Sequence, residues 1–146
     1  MLVLKYNREI FPYIGLAERI VELSTFYSKL LEIKSFDFCP LDGFGVVQGI
    51  RKKLTITPSS NGLTCAVIPY RTFNPWSKVT GYSDTHDIYL NTRKIWTPEQ
   101  TISTVVHELG HVIFPEYSHG NNTLKPNCVQ ETMARIAVEI FKESYE

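Results

Sequence analysis

Net charge is the first thing this sequence lacks: Lys plus Arg and Asp plus Glu each number 15, so they cancel. The balance argues against an electrostatic nucleic-acid binder and against a polybasic membrane anchor. The one local basic run, Arg51–Lys53, reads as the solvated start of a strand. No stretch reaches the roughly 18 consecutive apolar residues of a membrane-spanning helix. The opening MLVLKYNREIFPYIG has neither a basic leader nor a small-residue cleavage site, so a secretory signal is not expected. Cysteine is sparse. Cys39, Cys65 and Cys128 are odd in number and widely spaced, which fits reduced thiols in a cytoplasmic protein better than a disulfide framework. Internal repeats, low-complexity tracts and long linkers are missing as well. Histidine is scarce too, at four in the chain. Three of the four fall in one stretch, TVVHELGHVIFPEYSHG (104–120).

What is present suits one domain over residues 1–146. Hydrophobic residues make up 43% and charged residues 21%, the ordinary balance of a soluble globular chain. A domain of this length buries roughly 68% of its unfolded surface, so it needs no metal merely to hold a core. A metal site here is therefore expected to be catalytic rather than structural.

Apolar residues at steps of three and four (Tyr13, Leu16, Ile20, Leu23, Tyr27, Leu30) predict one helix over 12–33. KKLTIT (52–57) and LTCAVI (63–68) flank the turn signal PSSNG, with Asn61–Gly62, and predict a hairpin. SFDF (35–38) is a candidate strand, and 69–86 reads as irregular. DIYLN (87–91) is a short alternating strand. Thr97 caps the next helix, Pro98 suits its first position, and Gln100 completes a T-x-x-Q capping box. That helix runs to Phe114, because Pro115 cannot continue it. A last helix covers 127–143, with the stripe Val129, Met133, Ile136, Ala137 and Ile140. One helix, several strands, then two helices make an α+β fold.

His107, Glu108 and His111 form H-E-x-x-H on the capped helix. Histidines four apart share a face, with Cβ atoms about 5–6 Å apart. Two imidazoles so placed can reach one zinc ion at about 2.0–2.1 Å. On a helical wheel Ile102, Val105, Val106, Leu109 and Ile113 cluster, and the two histidines fall about 140° and 180° from that stripe. They fall near Thr104 and Ser103, so they are not core histidines. Glu108 lies to one flank, where it can meet a metal-bound water without ligating the metal.

IYLNTRKIWTPEQTISTVVHELGH resembles the strand-then-helix core of zincin metallopeptidases, and the resemblance covers roughly residues 79–146. It implies Zn²⁺ as cofactor, a peptide or protein substrate, and a strand before the helix that pairs with extended substrate. DIYLN or segment 76–86 would take that role. A catalytic zinc ion usually has three protein ligands and one water. For the third ligand His119 is the leading candidate. Metzincins use H-E-x-x-H-x-x-G-x-x-H; here Phe114 replaces the glycine and the third histidine comes two residues late. Gly120, Asn121 and Asn122 are expected to let the chain return. NCVQ (127–130) resembles the metzincin stretch before the last helix, with Gln130 in place of methionine. Glu131 is the alternative third ligand, as in gluzincin-type peptidases, although the wheel turns it about 160° from the apolar stripe. ETMARIAVEIF also resembles the helix of ImmA/IrrE-type peptidases, in a register that puts Thr132 at their ligand position. TCAVIP and GFGVVQG (43–49) resemble deformylase motifs faintly, but Cys65 reads as a buried strand residue.

The expected activity is metal-assisted hydrolysis of peptide bonds, with Glu108 as general base. Tyr82 and Tyr117 are candidate oxyanion donors. The alternative is a latent or non-catalytic zinc-binding module of the same fold.

Overall fold

Thr97 begins the helix that organises the molecule. Its Oγ1 accepts a hydrogen bond from the Gln100 backbone N–H at 3.1 Å, and Pro98 occupies the first turn, as expected. The computed structural model describes residues 2–5, 8–56, 67–73, 76–77, 79–84, 87–94, 96–119 and 127–145, without the side chains of 54–56. Within them the order is α1 (Phe11–Ile20), α2 (Ser24–Leu31), α3 (Gly43–Ile56), β1 (Val67–Tyr70), β2 (Gly81–Ser83), β3 (Ile88–Asn91), α4 (Pro98–Ile113) and α5 (Val129–Ser144). This is the α+β fold read from the sequence, and no described helix is long and apolar enough to cross a membrane.

The stripe Ile102, Val105, Val106, Leu109 and Ile113 on α4 is buried, as is Val129, Met133, Ile136, Ala137 and Ile140 on α5. These two helices pack side by side, and α1 joins them in one hydrophobic cluster. A three-stranded sheet of order β1-β3-β2 covers another side of α4, with β1 parallel and β2 antiparallel to β3. Ile88 and Leu90 are fully buried, while Thr104 Oγ1 meets Thr80 Oγ1 at 3.5 Å.

The amino-terminal half departs from expectation in several places. The single helix over 12–33 is two. α1 ends at Ile20, capped by Val21, and Leu23 takes an extended conformation with ψ 143° before α2 begins. The buried positions show why periodicity misled: Ile20 and Val21 are followed by Phe26 and Leu30, not Leu23 and Tyr27, so the phase slips at the break. KKLTIT is no hairpin arm, because Lys52–Ile56 closes α3. Val46, Val47 and Ile50 carry a helical apolar pattern, with glycines interrupting it. Gly49 is required by packing, since a Cβ there would stand 2.7 Å from the Phe114 ring. Arg51 is therefore on a helix, over the Tyr27 ring at 5.2 Å. The Asn61–Gly62 turn and Cys65 lie outside the described residues. β1 pairs in parallel with β3 instead of forming a hairpin. Among the described residues SFDF makes only the isolated bridges Phe36–Cys39 and Asp37–Cys128. Segment 69–86, read as irregular, contains β2 and the end of β1.

Candidate metal centre

His107 and His111 stand one turn apart on α4, their ring centroids 4.9 Å apart. His119 joins them from beyond the helix end. Phe114 turns the chain with φ −122° and ψ 63°, a negative φ that does not call for glycine. That is why phenylalanine can stand where the metzincin pattern has glycine. Pro115–Tyr117 then form one 3₁₀ turn, and Ser118 is extended. Two contacts hold the turn: Phe114 packs on Gly49 of α3, and Gln130 Nε2 donates to the Tyr117 carbonyl at 3.4 Å. The reversal thus comes before His119, from residues 114–118. The Gly120–Asn122 loop expected to provide it follows the histidine and lies outside the described residues.

The three Nε2 atoms form a triangle with sides of 3.2, 3.1 and 3.3 Å. A tetrahedral zinc ion with bonds of about 2.0–2.1 Å holds its ligand nitrogens about 3.3 Å apart. The triangle therefore matches one small cation. Mutual hydrogen bonds cannot satisfy all three atoms, because a neutral imidazole nitrogen that donates has no lone pair left to accept. Burial, reinforced by the charges of His107 and His119, lowers the His111 pKa to about 4, which leaves that ring neutral and able to ligate at neutral pH.

Glu131 does not join the triangle. Its Oε2 lies 3.0 Å from Nδ1 of His107, the other ring nitrogen. That contact, ahead of the cost of burial, holds the Glu131 carboxyl below its usual range. Thr132 beside it is buried in the helix interface.

Glu108 is 6% exposed, and its Oε2 has no hydrogen-bond partner among the described residues. Burial raises its pKa, partly offset by His107. It lines an open groove of about 500 Å³, together with His111 and His119 and, across from them, Tyr82, Ser83 and Asp84. The wheel placed this side of α4 away from its apolar stripe. In the structure Thr101, Thr104 and Glu108 are buried, because β2 and β3 lie against the helix. Their spacing of three and four was the available signal for a second, small and polar, covered face.

The tyrosines divide. Tyr82 borders the groove, its ring stacked on Tyr89 at 4.6 Å. Tyr117 instead packs on Phe114 at 6.0 Å and against the core. Tyr70 meets Tyr82 edge-on at 4.8 Å. Its buried hydroxyl has no partner among the described residues. DIYLN, expected to receive substrate, is the central strand β3, and both its edges are taken by β1 and β2. The strand beside the groove is β2. Compared with known proteins, the chain matches no family model, no curated sequence and no solved structure, so the functional reading rests on this site's own geometry.

Proposed function

We propose that this chain is a zinc-dependent peptidase of the zincin kind, closer to the metzincin pattern of three histidines than to the gluzincin or ImmA/IrrE-type patterns. One observation carries the reading: three Nε2 atoms converge at 3.1–3.3 Å beside a buried glutamate on the wall of an open groove. His107, His111 and His119 would hold the zinc ion, which when bound supplies a Lewis acid and lowers the pKa of water in the groove. Glu108 takes the proton from the attacking water and passes it to the leaving amine. Its burial suits that role, since a carboxyl with a raised pKa accepts a proton more readily than a surface glutamate. β2, paired on one side only among the described residues, offers its other edge to an extended peptide. Tyr82 stands on the same wall and is the tyrosine better placed to contact substrate. Cys39 and Cys128 are free, which supports a reducing compartment such as the cytoplasm.

Elemental analysis of the purified protein, with anomalous scattering at the zinc edge, tests the centre. The expectation is one zinc ion per chain, with most of it lost in each of His107→Ala, His111→Ala and His119→Ala. Undiminished zinc in these variants would sink the assignment. A protein that holds zinc yet cleaves nothing in a broad peptide library would instead be a latent or non-catalytic module.

A further inference from the structure

Helix α5 approaches α4 closely at Gly110, where a Cβ would stand 3.1 Å from Gln130 Cα. Glu131 follows in the first turn of α5. The start of that helix is pinned from the other side, where the Asp37 backbone N–H donates to the Asn127 carbonyl at 3.0 Å and Asp37 bridges Cys128. Glu131 is thus delivered to His107 by backbone packing rather than by a free side-chain search. Its Oε2 lies 3.0 Å from His107 Nδ1. A carboxylate only accepts, so Nδ1 must carry the proton; a neutral imidazole has one proton, so Nε2 is left with its lone pair. Nε2 is the atom His107 contributes to the triangle.

We propose that Glu131 is the positioning residue of the metal centre. It is neither the third ligand nor a mere surface charge. Its carboxylate fixes His107 as the Nδ1–H tautomer and aims the Nε2 lone pair at the point shared with His111 and His119. The Glu131 side chain is 49% exposed, and even a fully charged pair so exposed contributes little to folding. The consequence of the contact is therefore ring orientation and ligand basicity, which an outer carboxylate controls in histidine–metal sites. The inference rests on the proposed metal centre.

The test uses the full chain in two states. In the metal-free protein, nitrogen NMR of the histidines reads the His107 tautomer. Wild type and Glu131→Gln, whose amide oxygen still accepts, should show Nδ1–H; Glu131→Ala should shift His107 toward Nε2–H. In a chelator competition with zinc, Glu131→Ala should bind roughly 10–100-fold more weakly than wild type, with Glu131→Gln between them. An unchanged tautomer together with unchanged affinity in Glu131→Ala would overturn the proposal. Loss of zinc as complete as in His107→Ala would overturn it too, by making Glu131 a ligand. Failure of wild type to bind zinc would remove the metal centre itself, while the tautomer would still show whether Glu131 sets the ring.

Discussion

Replacing Glu108 with glutamine should remove activity and, at the same time, make the fold more stable. Glu108 is 6% exposed and its Oε2 has no hydrogen-bond partner among the described residues. A buried polar group left unpaired costs about 1–3 kcal/mol. Glutamine has nearly the same shape and carries no charge, but it keeps a polar oxygen in place. The lower end therefore applies, about 1 kcal/mol of added stability, which raises the Tm of a chain this size by about 3 °C. The sign depends on pH. The folded-state pKa of Glu108 is raised above 4.5, so below that value the carboxyl is protonated in both states and carries no penalty. As pH rises through the folded-state pKa, the ionised carboxylate weighs against the fold. The variant's advantage should be present at pH 7 and vanish by about pH 4. Calorimetry on chelated protein at both pH values reads it. Peptide-library hydrolysis with zinc restored should fall by about 10²–10⁴-fold, the usual contribution of a general base. A Tm that falls at pH 7, or a variant that cleaves as fast as wild type, would refute the reasoning.

Two further outcomes follow from the packing and charge around the centre. Because the His111 pKa is lowered from 6.5 to about 4 in the folded protein, its neutral ring stabilises the metal-free fold above pH 6.5, and that contribution is lost as pH falls toward 4. The stability difference between wild type and His111→Gln, which cancels titrating groups distant from the centre, should shift against wild type across that window; a constant difference would contradict it. At Gly110, alanine sets a helix-propensity gain of about 1 kcal/mol against a modest overlap with Gln130, so little net change is expected. Gly110→Val, measured by urea unfolding and zinc titration, should lose about 1–3 kcal/mol and weaken zinc binding as α5 is pushed from α4; wild-type values in both would show that the close approach is dispensable.

What was legible in the sequence was local. The Thr97 cap, the Pro98 start and the Pro115 stop fix α4 by chemistry within a few residues of each other, and the spacing of His107 and His111 then follows from the helix itself. The α5 stripe read true for the same reason. Reading failed where a distant partner decided the outcome. Three glycines in the first half of α3 disguised a helix whose Gly49 exists to admit the Phe114 ring. The β-branched residues after it suggested a strand, but tertiary packing outweighs so weak a preference.

The third histidine shows both sides of that division. Its identity could be read, because few histidines are available and one follows the helix end. The route to the site could not. A displaced histidine reaches the other two only because Phe114 anchors on α3 and Gln130 on α5 holds the Tyr117 carbonyl. Both contacts come from elements far away in sequence. The same holds for Glu131, which the wheel correctly turned from its own helix's apolar stripe. A residue turned from the core is solvated only if nothing else stands on that side, and here the approach at Gly110 brings His107 there. Helical phase gives the direction of a side chain. What it meets is set by the neighbouring helix, so the distinction between a ligand, a positioning carboxylate and a surface charge is a property of the α4–α5 interface.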